Sequence, residues 1–192
     1  MSDLPERAVW PVGTPVDHVM TPDASLRPPG WTPPGANRAA PVAQRVAHPR
    51  PFALQLVPGS AGVSRAVAHV NNVEYVRWLD RAAELHADSL GFTRASMLAI
   101  DRMWFVARHE VNYRAEAFPG EALHVFTWVR TLGRSTSWRD TVIVRARDGA
   151  PVCEASTCWA YVDLSTRKPA RIPPDVAAAF DALEGAACTS RS

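Results

Sequence analysis

The sequence lacks several features that would place it among membrane, secreted or nucleic-acid-binding proteins. Its 192 residues contain no apolar run of about 18 residues, so no membrane-spanning helix is predicted. The first residues have neither the basic start nor the apolar core of a secretory signal. Three cysteines do not make a disulfide framework, which favours a reducing, cytoplasmic location. The net charge of +2 excludes the strongly basic field that nucleic-acid binding requires.

Motifs for several kinds of catalysis are also missing. There is no GxSxG serine motif, and the only lysine, Lys168, precedes a proline and so cannot belong to a phosphate-binding GKS or GKT loop. His109 and Glu110 lack the second histidine of an HExxH zinc motif. Cys153 and Cys158 lie five residues apart on a predicted strand, which puts their side chains on opposite faces. We therefore expect neither a bound metal nor another cofactor.

Proline divides the chain into unequal parts. Eleven of the 17 prolines lie between Pro5 and Pro51. This density predicts an extended or irregular, proline-rich N-terminal extension over residues 1–50. Trp10 and Trp31 leave two interpretations open for it, a solvated tail or an arm packed along the domain surface. One domain is predicted over residues 51–172, followed by a C-terminal helix and tail over residues 173–192.

The segment that follows "HVNN" has the spacing of a long amphipathic helix. Apolar and polar side chains recur there with the period of a helix. Asn71 or Asn72 is a suitable N-cap and Gly91 a suitable stop, which predicts a helix of about 18 residues. The apolar positions are Val76, Leu79, Ala83 and Leu90.

Strands are predicted on both sides of this helix. "FALQLV" precedes it, and four segments with a period of two follow it, separated by turn sequences such as Pro119-Gly120 and Asp148-Gly149. One long helix and a strongly curved antiparallel sheet can bury each other, so the predicted fold class is α+β. In the first of the four strands, one face is expected to hold Met103, Phe105, Ala107, His109, Val111 and Tyr113.

His69 precedes the predicted long helix at a place that suits carbonyl chemistry. The first amides of a helix have no internal partner and lie at the positive end of its dipole, so they stabilise an oxygen that gains negative charge. A histidine beside them can polarise a carbonyl group or orient a water molecule. Capping or packing at the helix start is the alternative role for His69.

The segment "RAVAHVNNVEYVRWLDRA" resembles a signature of hotdog-fold thioesterases of the 4-hydroxybenzoyl-CoA thioesterase type and of the plant acyl-acyl-carrier-protein thioesterases. The similarity includes His69, Asn71, Asn72 and Tyr75, and it continues in "NYRAEAFPGE" and in the "LGRSTS" turn. It spans about residues 51–171. It implies a hotdog fold, in which a curved antiparallel sheet wraps one long helix, and it implies a homodimer or a dimer of dimers.

The resemblance further implies hydrolysis of an acyl thioester, on coenzyme A or an acyl carrier protein, without a metal. His69 would polarise the thioester carbonyl, and Asn71 and Asn72 belong to the expected catalytic set, with the backbone amide of Asn72 as the oxyanion donor. Glu116 in "NYRAEA" matches a glutamate of the plant enzymes and is the expected general base. Glu74, on the first helical turn, is the alternative base.

Five further residues are candidates for substrate binding. Arg134, Ser135 and Ser137 resemble the family's contacts with pantetheine and nucleotide, where an arginine suits phosphate groups. Tyr75 and Arg65 belong to the region of the HVNN motif, and Arg65 replaces the acidic residue that the family uses as base or nucleophile. Aromatic residues are candidates for the wall of an acyl tunnel between subunits: Trp78, Trp104, Phe105, Trp128 and Trp138.

Two other functions remain open on the sequence alone. A hotdog protein that binds acyl groups without hydrolysing them would account for Arg65 at the acidic position. A dehydratase or hydratase on the same fold would use a histidine with a carboxylate and would leave the thioester intact. Release of a free thiol distinguishes hydrolysis from both alternatives.

Overall fold

The computed structural model describes residues 18–27, 46–60, 62–64 and 67–183. Arg65 and both tryptophans of the proline-rich extension lie outside these ranges. None of the helices within the ranges combines the length and the hydrophobicity that crossing a bilayer requires. The helices are α1 (Asn72–Ser89), α2 (Arg94–Ala99) and α3 (Pro174–Ala179). The strands are β1 (Val19–Pro22), β2 (Phe52–Val57), β3 (Arg102–Tyr113), β4 (Leu123–Leu132), β5 (Thr136–Arg145), β6 (Pro151–Asp163) and β7 (Lys168–Pro169).

These strands form one antiparallel sheet. Its order is β1-β2-β4-β5-β6-β3, with β7 beside β6, so β1 and β3 are the two edges. The glycines of the predicted turns, Gly120 and Gly149, adopt positive φ angles of 75° and 69°, which glycine tolerates better than other residues. The α+β class, the first predicted strand and the four strands after the long helix are confirmed.

The helix α1 packs its apolar face against the sheet. The side chain of Asn71 caps it by accepting a hydrogen bond from the Val73 amide at 3.0 Å. Gly91 follows its end with a φ of 87°. Tyr75 and Trp78 lie in a buried cluster with side chains of β2, β4, β5 and β6. The length of 18 residues and both predicted ends are confirmed.

A second buried cluster covers the opposite face of the sheet. Phe126 of β4 packs there with Val46, and Leu26 and Leu183 lie against the same cluster. Residues 18–27 and 46–50, which are the described parts of the proline-rich extension, therefore contribute an edge strand and apolar contacts to the domain. The sheet thus begins on the N-terminal side of the predicted boundary at residue 51.

The predicted alternation of side chains in β3 is wrong beyond Val106. A bulge lies between Val106 and Arg108, because Val106 pairs with Trp159 whereas Arg108 pairs with the next residue of β6. The extra residue changes the face that every following side chain occupies. The predicted alternation of β3 is therefore interrupted at this bulge. Three short elements, β1, α2 and β7, are present that the sequence pattern did not predict.

Candidate active site

His69 lies in a loop that folds back across the start of α1. The amide of Ser64 donates to the carbonyl of His69 at 2.8 Å, and the amide of Asn71 donates to the carbonyl of Gly62 at 2.7 Å. A Cβ atom at Gly62 would approach Cγ of Glu74 to 2.3 Å, so only glycine fits this crossing without a shift. The loop thereby brings the histidine to the first turn of the helix.

The start of α1 contributes backbone amides to the same place. The side chain of Asn71 caps the helix by accepting from the Val73 amide, and its expected place in the catalytic set stays a prediction. Asn72 is the first helical residue and is exposed. The amide of this first position has no acceptor within its own helix. The position of Asn72 therefore agrees with its expected role as an amide donor.

His69 and Glu116 are the two predicted catalytic residues that the fold brings into contact. Nδ1 of His69 lies 3.1 Å from Oε1 of Glu116. The two groups are within ion-pair distance but not aligned for a hydrogen bond, since Nδ1 has no hydrogen-bond partner among the described residues. The imidazole is 25% exposed and the carboxylate 61% exposed. The pair is therefore open to solvent mainly on the carboxylate side.

Tyr75 fixes the backbone around Glu116. Its hydroxyl accepts a hydrogen bond from the amide of Ala117 at 2.9 Å and donates a longer one to the carbonyl of Ala115 at 3.4 Å. Burial raises the pKa of the phenol to about 12, so the hydroxyl stays protonated. Tyr75 is buried and its hydroxyl is already bonded to this backbone, and its expected contact with substrate stays a prediction.

Glu74, the alternative base, is tied to the N-terminal segment. Nε2 of His18 contacts its Oε2 at 3.0 Å, and Nδ1 of His18 accepts a hydrogen bond from the amide of Gly59 at 2.8 Å. Because Nδ1 accepts, the imidazole is neutral and donates its Nε2 proton to the carboxylate. Glu74 is buried in this contact. The carboxylate therefore links residues 18–27 to α1, and its alternative role as the base stays a prediction.

The three predicted residues of the "LGRSTS" turn have different surroundings. Arg134 is exposed and Ser135 half-buried in the turn between β4 and β5. Their carbonyls accept hydrogen bonds from the amides of Ile172 at 2.8 Å and Tyr161 at 2.9 Å. Ser137 is buried in β5 and lines an internal cavity. The turn thus separates an exposed arginine from a buried serine.

Exposed apolar side chains flank the His69–Glu116 pair along the chain. Val67 and Val73 are 51% and 56% exposed, and Tyr113 and Phe118 are 44% and 42% exposed. The hydroxyl of Tyr113 donates to the carbonyl of Asn72 at 3.3 Å, which joins the end of β3 to the start of α1. Tyr113 was not predicted as a site residue, although it belongs to the "NYRAEA" segment that carries the family resemblance. Apolar surface around polar groups is typical of a binding site.

A cavity of about 300 Å³ lies farther along α1. The helix α1 and the strand β3 run beside each other. At one end, Tyr113 of β3 contacts Asn72 of α1. Farther along, Asp80 of α1 and Phe105 of β3 both line the cavity. Asp80 follows Asn72 by eight residues, which is about 12 Å of helix. Neither His69 nor its carboxylate partner lines the cavity. The pair and the cavity are thus separate places along one helix.

The predicted tunnel residues divide between this cavity and the rest of the fold. Trp104 and Phe105 line the cavity. Trp78 lies in the core beneath α1, and Trp128 lies in the cluster on the opposite face of the sheet. An arginine guanidinium of β4 lies 5.4 Å from the ring of Trp138. Three of the five aromatic residues therefore do not belong to the cavity wall.

Metal-ligating and thiol groups show no second reactive centre in the described ranges. No group of three or more histidine, cysteine, aspartate or glutamate side chains is placed there to hold a metal ion. Cys153 and Cys158 are free thiols on β6. Burial raises the pKa of the Cys153 thiol to about 12, which keeps it protonated.

Comparison with known families identifies the chain. A family model described as the thioesterase-like superfamily matches residues 66–180, a segment that includes both His69 and Glu116. The chain belongs to the thioesterase-like superfamily. Membership confirms the family resemblance found in the HVNN and "NYRAEA" segments.

One curated relative of the chain is a plant enzyme. The acyl-[acyl-carrier-protein] hydrolase of Cuphea viscosissima is 31% identical over 96 residues, which are 50% of this chain and 23% of the relative. The chain therefore spans less than a quarter of the length of that relative.

Solved structures of thioesterases share the fold. A 1,4-dihydroxy-2-naphthoyl-CoA thioesterase from Synechocystis superposes with a TM-score of 0.63 at 18% identity, over 67% of this chain and 94% of that one. A 12:0-ACP thioesterase from Umbellularia californica superposes with a TM-score of 0.58 at 21% identity, over 67% of this chain and 53% of that one. These likenesses confirm the predicted hotdog arrangement of one long helix against a curved antiparallel sheet.

Proposed function

We propose that this chain hydrolyses an acyl thioester carried on coenzyme A or on an acyl carrier protein. The observation that carries the proposal is the 3.1 Å approach of His69 Nδ1 to Glu116 Oε1 beside the first turn of α1. Membership of the thioesterase-like superfamily and the similarity to a plant acyl-carrier-protein hydrolase support the same reaction. The proposed chemistry uses water, side chains and a backbone amide, without a metal or another cofactor.

In the proposed reaction, water attacks the carbonyl carbon of the thioester. A base takes one proton from the water, and the carbonyl oxygen becomes negatively charged in the tetrahedral intermediate. The amide of Asn72, at the positive end of the helix dipole, stabilises that oxygen. The carbon–sulfur bond then breaks, and the proton passes to the departing thiolate. The products are a carboxylic acid and a free thiol.

The contact geometry favours His69 as the group that takes the proton. Oε1 of Glu116 approaches Nδ1, so Nε2 on the far side of the ring is the nitrogen left for the water. In this assignment the carboxylate orients the imidazole and stabilises its protonated form, as in hydrolase triads. The assignment expected from the sequence, with Glu116 as the base and His69 polarising the carbonyl, is the alternative.

The substitutions Glu116→Gln and Glu116→Ala distinguish the two assignments. A glutamine keeps a side-chain oxygen beside Nδ1 of the imidazole but does not take a proton from water. If His69 is the base, the glutamine variant should retain more activity than the alanine variant. If Glu116 is the base, the two variants should be equally impaired.

Arg134 and Ser135 remain the proposed contacts for a phosphorylated carrier. Arg134 is exposed and has no carboxylate partner among the described residues, so its guanidinium is available to phosphate oxygens. Arg65 keeps the same proposed role from its place in the sequence. Ser137 is assigned to the acyl portion of the substrate, since it lines the internal cavity.

We also propose a homodimer, or a dimer of dimers, in the cytoplasm. Among the described residues, the strand β3 pairs with β6 on one side only. This edge strand of 12 residues exposes Phe105, Val106 and Tyr113. Long apolar edge strands are usually covered by another chain or element. The free thiols of Cys153 and Cys158 suit a reducing compartment.

Release of free thiol from a panel of acyl-CoA and acyl-carrier-protein thioesters tests the proposed reaction. We expect turnover by the wild type and a loss of about 10²- to 10⁴-fold in kcat for His69→Ala. Asp148→Asn is the control for Glu116→Gln, because it removes the charge of an exposed carboxylate in the hairpin between β5 and β6. Acyl-CoA binding with zero turnover would identify an acyl-binding protein instead. A hydrated product that keeps its thioester would identify a hydratase.

A further inference from the structure

Arg139 is a buried cation in the wall of the cavity beside α1. It is 5% exposed, and burial lowers its pKa to about 10, so the guanidinium stays charged at neutral pH. Its Nη1 donates to Nδ1 of His86 at 2.9 Å and to Oγ1 of Thr127 at 3.3 Å. Burial first, and then the nearby guanidinium, lower the pKa of His86 to about 3, so this imidazole is neutral. Neither acceptor therefore supplies a negative charge.

Most of the guanidinium's N–H donors have no hydrogen-bond partner among the residues that the structure describes. Both side-chain hydrogen bonds start from Nη1, whereas Nε and Nη2 of Arg139 meet no acceptor within the described part of the chain. A guanidinium has five N–H donors, and a buried one normally faces a carboxylate. Arg145, which is also largely buried, illustrates the usual solution, because its Nε lies 2.6 Å from a carboxylate oxygen of Glu121. Arg139 has no such partner in the described ranges.

The acidic residues of the cavity wall do not supply the missing charge. Asp80, Glu84 and Asp88 follow one another along the face of α1 that lines the cavity. Glu84 pairs with two other arginines, one of which is Arg94 at 3.6 Å. Desolvation raises the pKa of the Asp80 carboxyl above its ordinary value. None of the three carboxylates lies within ion-pair distance of Arg139 in the described structure.

The remaining walls of the cavity are mainly apolar. A ligand that fits must therefore be apolar along most of its length and must carry an anionic oxygen group at the end that meets the guanidinium. The apolar wall residues include Phe92, Met97, Met103, Trp104, Trp159 and Phe180.

We propose that this cavity binds the acyl group of the thioester and that Arg139 binds a carboxylate at the far end of that group. The inference rests on the proposed thioester hydrolysis and names its substrate class, a dicarboxylic acyl thioester with one free carboxylate. The start of α1 holds the thioester carbonyl near His69, and the acyl chain follows the helix and β3 to the cavity. A carboxylate accepts paired hydrogen bonds from the unused Nε and Nη2 donors and neutralises the buried charge.

Binding of matched coenzyme A thioethers, which cannot be hydrolysed, tests the inference without turnover. The two members of each pair have chains of equal length that end in a methyl group or in a carboxylate. Trp104 and Trp159 line the cavity, so tryptophan fluorescence reports the Kd. We expect the wild type to bind the carboxylate member at least about tenfold more tightly.

Substitutions assign this preference to one side chain. Arg139→Met should abolish the preference, and Arg139→Lys should retain part of it because the positive charge remains. Arg130→Met is the matched control, since it removes a neighbouring arginine that pairs with Asp140 and does not line the cavity. It should keep the preference of the wild type.

Three results overturn the inference: no binding of either member, equal binding of both by the wild type, or an unchanged preference in Arg139→Met. If circular dichroism shows that Arg139→Met does not fold, the inference is judged from the ratio of the two Kd values in the wild type and in Arg139→Lys. Failure of the proposed hydrolysis is a separate result. It would appear as no thiol release from any thioester, whereas the ratio of Kd values is measured with thioethers that are not hydrolysed.

Discussion

The hydroxyl of Tyr75 bonds to the backbone on both sides of Glu116. It accepts from the amide of Ala117 at 2.9 Å and donates to the carbonyl of Ala115 at 3.4 Å. The carbonyl of Ala117 in turn accepts from the amide of Val70 at 2.9 Å. One buried tyrosine of α1 and one backbone bond thus join the segment that carries the carboxylate to the loop that carries the histidine.

We expect Tyr75→Phe to lower kcat more than it changes KM. The substitution leaves the amide of Ala117 buried without an acceptor, which should cost about 1–3 kcal/mol of unfolding free energy. It also releases the backbone that positions Glu116 against His69. Steady-state kinetics and urea unfolding measure the two effects.

Tyr161→Phe is the control for this substitution. The hydroxyl of Tyr161 is buried and has no hydrogen-bond partner among the described residues, so its removal should cost little. If Tyr75→Phe lost stability but kept the kcat of the wild type, Tyr75 would have no part in positioning Glu116.

Stability should fall in mild acid because of His86. Burial is the main cause that lowers its pKa from 6.5 to about 3 in the folded chain. Between these values the unfolded state binds a proton that the folded state does not, so the free energy of unfolding decreases as the pH falls below 6.5. This one group should remove about 2 kcal/mol between pH 7 and pH 5.

His86→Gln isolates this contribution. Glutamine keeps an oxygen acceptor for the guanidinium of Arg139 but does not titrate. Urea unfolding measures the free energy of unfolding at pH 7 and at pH 5. Between these two pH values, the wild type should lose about 2 kcal/mol more of this free energy than the variant. Equal losses in the two proteins would show that His86 does not titrate in this way.

The proposed homodimer depends on the exposed edge of β3. Val106 is 37% exposed on that strand. A lysine in its place would put a charge into an interface between two β3 edges, so Val106→Lys should convert a dimer into a monomer. Light scattering of both proteins at micromolar concentration measures this change. A monomeric wild type would refute the proposed dimer.

The long helix could be predicted because its signals are local in the sequence. The cap at Asn71, the apolar spacing after it and the glycine at Gly91 all lie within one segment, and each acts on its neighbours. The α+β class followed from the same kind of signal, since the strands after the helix alternate with a period of two. Pairing His69 with Glu116 required the family resemblance, because no local pattern joins the two residues.

Contacts between distant segments could not be predicted from patterns. The bulge after Val106 depends on how β3 pairs with β6, which the alternation of β3 alone does not encode. The bond from Tyr75 to Ala117 and the contact of His18 with Glu74 each require two parts of the chain to meet in three dimensions. Tyr75 and Glu74 thus make contacts within the fold that their types and places in the sequence did not indicate.

The central claim is that His69 and Glu116 act as one unit in thioester hydrolysis. A double-mutant cycle on kcat/KM tests it most directly, with His69→Ala, Glu116→Ala and the double variant assayed on the same acyl thioester. We predict that each single substitution strongly lowers kcat/KM. The kcat/KM of the double variant should lie within a few-fold of that of the less active single variant. Full activity in the double variant, or losses that simply multiply, would contradict the account.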